Sequence, residues 1–342
     1  MEHPRSPIFR SALTLGAVFV VAVLAIGGYR MMNQVDSGLS YQGPKESISI
    51  GAGQGAFLVW IADEQGYFDE AGLNADVRLF KTGKAAANGM SKGEVNVATA
   101  ASFVLVKKGG QESDLRVLAS IKRGYTIRFI ARVDHGIKEP SDLKNKKVGV
   151  TRGSAGEYFL GRFLTFNELE LSDVEIVDMP PKVMAEAVIN GEIDAAFSWE
   201  PHIYRAKNEL GDNAVVFIGQ GKQEFYFLLL AKDAWVQAHP VAAERLLRAL
   251  VQAQNFTRDN PDKAGAIIAK KFEYDPVYLE YVWQLQDDLV ELPQSLITFL
   301  EDQTRWAVNN DIIQGDEYPN YMDFLYLKGL EAAEPSAVTV IR

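Results

Sequence analysis

Charged and aromatic side chains that directly follow apolar runs are where this chain could do chemistry. Lys122 and Tyr125 follow Leu115 to Ile121, Arg152-Gly153-Ser154 follows Lys147 to Val150, and Trp199-Glu200 follows Asp194 to Phe197. An arginine or lysine near a helix start can hold an oxyanion, because its charge-assisted hydrogen bonds add to the positive end of the helix dipole. A tryptophan beside a glutamate supplies an apolar face and an acceptor, which suits an ammonium or a ring N–H. Ser154 would equally cap its own helix. Catalytic arrangements are absent. The four histidines, His3, His135, His202 and His239, form no H-E-x-x-H pair, and neither a G-x-S-x-G elbow nor a G-x-x-x-x-G-K-[ST] loop occurs. With no cysteine, disulfides, Cys-ligated metal, thiol catalysis and a lipidated N-terminal cysteine are excluded. Gly51 to Ala56 matches G-x-G-x-x-[GA], yet the next strand ends Leu79-Phe80-Lys81, without the acid that a dinucleotide ribose requires. Its glycines are read instead as a tight strand-to-helix turn.

The elements that must position these residues alternate. Apolar runs at Ile48 to Gly51, Val77 to Phe80, Val95 to Thr99, Leu115 to Ile121, Ile127 to Val133, Lys147 to Val150, Val174 to Val177, Asp194 to Phe197, Val215 to Ile218 and Phe225 to Leu230 read as strands. Helical spacing separates several of them, as in Gly156 to Leu169, which predicts α/β with mainly parallel sheets. After Leu230 only helices are expected, opening at Pro240, Pro261, Pro276 and Gln294, with the third running to Leu289. A length of 342 residues exceeds one ordinary core and implies two lobes. The net charge of −10 argues against a nucleic-acid grip, which needs a basic surface. Ser11 to Tyr29 is an uncharged run of bilayer length behind Arg5 and Arg10. It reads as an uncleaved signal anchor, with a cleaved signal peptide as the alternative, and it directs the rest outward.

In sequence order, Trp60-Ile61-Ala62-Asp63-Glu64-Gln65-Gly66-Tyr67-Phe68, Met90-Ser91-Lys92-Gly93-Glu94-Val95, Pro140 to Val150, Asn190-Gly191-Glu192-Ile193-Asp194-Ala195-Ala196, Ser198-Trp199-Glu200-Pro201 and Asn260-Pro261-Asp262-Lys263-Ala264 resemble the periplasmic solute-binding proteins of ABC importers. The resemblance is to the nitrate, sulfonate and taurine group, which also holds thiamine-precursor-binding relatives. It implies a two-lobed periplasmic-binding-protein fold with two mainly parallel sheets, flanking helices, a double hinge crossover near Arg123 to Thr126 and Gln220 to Phe225, and a helical C-terminal part. The expected domains are a signal anchor or peptide over 1–30, a tether over 31–45, lobe 1 over 46–125 and 223–335, and lobe 2 over 126–222. It further implies a monomer that needs no cofactor, performs no chemistry, sits on the periplasmic side of the inner membrane and delivers its ligand to a permease and ATPase.

Open α/β sheets bind ligands beyond the carboxyl ends of their strands. The expected ligand-binding residues are therefore Gln54, Gly55, Phe57, Thr99, Ala100, Ser102, Lys122, Tyr125, Arg152, Gly153, Ser154, Trp199 and Glu200. A small organic anion such as an alkanesulfonate or taurine is the first expectation. A nitrogenous ring, a membrane-tethered sensor and a nucleotide-dependent enzyme are the alternatives.

Overall fold

Eleven strands form two sheets among the described residues, 41–314 and 319–342, of the computed structural model. They are β1 (Glu46–Ala52), β2 (Leu73–Leu79), β3 (Val97–Ala101), β4 (Leu115–Gly124), β5 (Ile127–Arg132), β6 (Lys147–Val150), β7 (Glu175–Asp178), β8 (Ala195–Trp199), β9 (Ala214–Ile218), β10 (Phe225–Lys232) and β11 (Gln286–Asp287). The six-stranded sheet has the order β11-β4-β10-β3-β1-β2, and the five-stranded sheet has the order β7-β6-β8-β5-β9. β1 pairs in parallel with β2 and β3, and β6 pairs in parallel with β7 and β8. Each sheet also admits a strand of opposite direction, β10 between β3 and β4 and β5 between β8 and β9. Most strands in each sheet thus share one direction, as the alternation of strand and helix requires.

Continuous apolar runs mark the central strands. β10 reads Phe-Tyr-Phe-Leu-Leu-Leu-Ala and is buried along nearly its whole length, as expected of a strand with neighbours on both edges and helices on its faces. Residues from Gln42 to Arg342 make one compact unit. The helices Pro181–Asn190, Pro240–Asp259, Pro261–Phe272 and Pro276–Trp283 all start on proline, whose missing N–H is no loss in the first turn. One expectation fails here. The helix opening at Pro276 stops at Trp283, and Gln286–Asp287 pairs antiparallel with Arg123–Gly124 as β11. Leu285 O accepts the Tyr125 N–H at 2.7 Å, so a strand partner takes the backbone that a longer helix would have used.

The chain crosses from β4 to β5 through 125–126 and returns from β9 to β10 through 219–224. Buried Gln220 ties the two crossings together. Its Oε1 accepts the Ile127 N–H at 2.8 Å, and its Nε2 donates to the Gly124 and Gln223 carbonyls at 2.9 Å each. A second joint lies where helix Ala155–Phe166 meets helix Gln294–Asn309. A Cβ on Gly161 would lie 2.1 Å from the Trp306 ring, and beside it the Tyr158 hydroxyl donates to Asp302 Oδ2 at 2.6 Å.

The signal anchor or peptide expected over 1–30 and residues 31–40 of the expected tether lie outside the described residues. Among the described residues no helix is long and apolar enough to cross a membrane.

Candidate functional site

The carboxyl ends of β1, β4 and β8 and the turn after β6 face one cavity. Its volume of about 100 Å³, against the roughly 10–15 Å³ that one water takes on the same measure, leaves room for a ligand of on the order of ten non-hydrogen atoms. Seven of the expected residues line it: Gln54, Gly55, Phe57, Lys122, Ser154, Trp199 and Glu200.

The other six stand beside or behind that wall. Thr99 Oγ1 accepts the Gly53 N–H at 3.2 Å and so holds the turn after β1. Ala100 is fully buried, and a Cβ on Gly83 would come within 2.8 Å of its Cα. Ser102 opens helix Ser102–Gly109 with a buried hydroxyl that finds no partner. The Tyr125 hydroxyl donates to Lys222 O at 3.3 Å, between the two crossings. Arg152 is half-exposed and turns its guanidinium to Glu157 Oε1 at 3.3 Å, while Gly153, at φ +71°, donates its N–H to Glu157 Oε2 at 2.8 Å.

Ser154 is occupied at its helix start. Its Oγ accepts the Gly156 N–H at 3.1 Å and donates to Thr151 O at 2.6 Å, the ordinary work of an N-cap. With buried Glu157 in the first turn, that terminus already has a carboxylate to meet its dipole.

Several lining residues escaped the sequence reading. Thr82, Gly83 and Lys84 open a third helix onto the cavity, where Thr82 Oγ1 accepts the Ala85 N–H at 3.0 Å. A threonine directly before Gly-Lys-Ala-Ala-Ala was the signal that could have found them. Phe225, Phe227, Tyr274, Tyr278 and Gln286 come from the return strand and the C-terminal helical part, and no local pattern marks their approach to β1 and β4.

Lys122 is the charged centre of the wall. It is 6% exposed, and its Nζ lies 5.9, 5.4 and 5.1 Å from the ring centres of Phe57, Phe225 and Phe227. A Cβ on Gly55 would come within 2.8 Å of that Nζ, so the glycine makes room for the ammonium. No side chain or carbonyl among the described residues accepts a hydrogen bond from it. Burial pulls its pKa down to about 8, opposed by the charge of Asp288. Asp288 is in turn pushed up to about 6 by burial, against the pull of Lys122 and of Gln286, whose Nε2 donates to its Oδ2 at 3.0 Å.

Glu200 is nearly as buried, and its oxygens are engaged. Oε2 accepts the Tyr204 N–H at 2.9 Å and Oε1 accepts the Tyr281 hydroxyl at 3.0 Å. Burial nonetheless lifts its pKa to about 7, the two hydrogen bonds acting against the rise. His202 next to it is pulled down to about 4, by burial first and then by Arg205 and Lys182, and is neutral near pH 7. Three lysines of which only Lys122 is buried, one half-ionised carboxyl and a partly aromatic wall can hold a small anion, and nothing in this set resembles a nucleophile with its base.

Known proteins share the fold and part of the sequence. A Brucella abortus protein named only as a binding protein is 28% identical over 66% of this chain and 70% of its own length. The taurine-binding periplasmic protein of Escherichia coli is 25% identical over 56% of this chain and 60% of its own. In structure, the alkanesulfonate-binding protein of Xanthomonas axonopodis pv. citri bound to MOPS superposes with a TM-score of 0.70, at 16% identity, over 80% of this chain and 96% of that one. The family model described as NMT1/THI5 like matches residues 56–264. That stretch is more than half of the chain and carries β2 through β10 with both crossings between the sheets, and the protein belongs to the NMT1/THI5 like family.

Proposed function

We propose that the protein is the extracytoplasmic solute-binding component of an ABC importer, which captures a small organic anion of the alkanesulfonate or taurine kind and hands it to a permease. The observation that carries this reading is the Lys122 ammonium, buried in the cavity wall with no hydrogen-bond acceptor among the described residues and with the charge of Asp288 set against its burial. A buried cation in that state gains most from an anion, because a hydrogen bond to a charged group contributes about 1.5–3 kcal/mol. The cavity size fits, and so do the relatives named for taurine and alkanesulfonate. Capture would close the two expected lobes, 46–125 with 223–335 and 126–222, about the paired crossings, the ligand supplying the difference between open and closed forms.

A thermal-shift series with taurine, short alkanesulfonates, small carboxylates, nitrate and pyrimidines tests the reading. A ligand at 100 times its Kd adds about 2.7 kcal/mol of stability, so at least one organic sulfonate or carboxylate is expected to raise the Tm by several degrees. A response to neutral pyrimidines alone would replace the anion reading with that of a nitrogenous ring.

A further inference from the structure

Taurine and a plain alkanesulfonate differ in the ammonium at the far end, and the cavity treats that end in a way the sequence does not reveal. Glu200 is the only carboxylate among the described lining residues. Its Oε1 and Oε2 are already held by the Tyr281 hydroxyl and the Tyr204 N–H. The Tyr281 hydrogen bond also runs from helix Pro276–Trp283 to the end of β8, so it joins the first sheet's surroundings to the second sheet and is not idle surface chemistry.

Of the other cations at the cavity, Lys84 gives its Nζ to Arg152 O at 2.8 Å, again across the two sheets, and Lys81 stands exposed at the rim. Lys122 alone of the three is both buried and without an acceptor, and it sits among Phe57, Phe225 and Phe227. Trp199, Tyr274 and Tyr278 extend the apolar wall. Flat apolar surface excludes water from around an ion pair and strengthens it. A second ammonium, on the ligand, would meet the like charge of Lys122 in that water-poor space, with only ring contact and the already hydrogen-bonded Glu200 to offset it, so burying that group would be unfavourable.

We infer that the site selects a monoanion with a flat apolar body, an arenesulfonate or an aryl carboxylate, with the anionic group on Lys122 Nζ and the ring against Phe57, Phe225 and Phe227, and that it discriminates against the zwitterion taurine. This narrows the ligand class within the proposed function and rests on that reading.

Calorimetric titration of the full-length protein with benzenesulfonate, benzoate, taurine and nitrate decides it. At least one of the two aryl anions is expected to bind tenfold or more tightly than taurine. Lys122→Met should weaken that aryl anion by at least tenfold. Should the single variant leave Asp288 unbalanced and unfold, Lys122→Met combined with Asp288→Asn removes both charges and should show the same loss. Taurine binding as tightly as the tighter of the two aryl anions, or a folded Lys122 variant within twofold of the parent, would overturn the inference. If taurine or nitrate binds and neither aryl anion does, this inference falls while the small-anion function stands. If none of the four binds, this inference falls, and the response to short alkanesulfonates in the thermal-shift series decides the small-anion function.

Discussion

Replacing Gly124 by alanine is expected to lower the melting temperature by about 10 °C and to weaken ligand binding with it. Gly124 ends β4 at φ +149°, where an added Cβ would lie 2.3 Å from Leu285 O and 2.6 Å from Gln286 Cα. Both atoms are backbone, so no side-chain rotation relieves the contact, and β11 must leave its register with Arg123–Gly124. A displacement of that kind belongs among the large single-residue effects, roughly 3–5 kcal/mol, which in a protein of this size is several degrees per change of two kcal/mol. Binding suffers because Lys122 lies two residues before Gly124 and Gln286 directly opposite it, both in the cavity wall. Gly136→Ala is the control. That glycine also has a positive φ, +82°, but nothing stands within 4 Å of the added Cβ, so only the backbone preference is lost, about 1 kcal/mol. Differential scanning calorimetry of the two variants checks the contrast, and equal melting temperatures would refute it.

Stability is expected to fall as the pH rises from 5 to 8, and Glu200→Gln should remove most of that fall. The folded state holds the Glu200 proton up to about pH 7 because burial outweighs the Tyr204 and Tyr281 hydrogen bonds. The unfolded chain releases it near the ordinary value of 4.5. Between those limits the folded state binds more protons, so the stabilisation present below 4.5 is lost as pH passes through 7, up to about 3 kcal/mol. Asp288, raised to about 6, acts with the same sign, whereas His202, pulled down to about 4 from 6.5, is protonated more readily in the unfolded chain and so offsets part of the fall up to about pH 6.5. Lys122 keeps its proton in both states until about pH 8 and adds no slope within the window. Losing one acceptor in Glu200→Gln shifts the curve at every pH without changing its slope. Melting temperatures of parent and variant at pH 5, 6, 7 and 8 measure the difference, and parallel curves would show that Glu200 is ionised throughout.

Local patterns carried most of the element order. β6, Lys147–Val150, and the helices Pro261–Phe272 and Gln294–Asn309 lie where apolar spacing and, for the first helix, its opening proline place them. In the site, the residues that line the cavity most directly are those that leave the strand ends, Gln54, Gly55, Lys122 and Trp199 with Glu200, because strand direction alone aims them. What stayed hidden depends on contacts between distant segments. Gln220 joins two crossings more than ninety positions apart from its partners in the first, Ile127 and Gly124, and β11 exists only because β4 offers it an edge. Arg152 shows the reverse. Its type and place after β6 promised an anion clamp, yet buried Glu157 one turn into the following helix takes the guanidinium and the Gly153 N–H. The preference of an acid for a helix start was visible in Ser154-Ala155-Gly156-Glu157.

The central claim is that a small organic anion sits between the two sheets with its charge on Lys122, and a crystal structure grown with a sulfonate ligand tests it most directly. Anomalous scattering from sulfur locates the anionic group independently of the fit of its body. The account predicts that sulfur within the cavity, with a sulfonate oxygen in hydrogen-bond reach of Lys122 Nζ, roughly 2.7–2.9 Å. A sulfonate bound instead at half-exposed Arg152, which does not line the cavity, or a cavity left without anomalous signal at a saturating concentration, would contradict it.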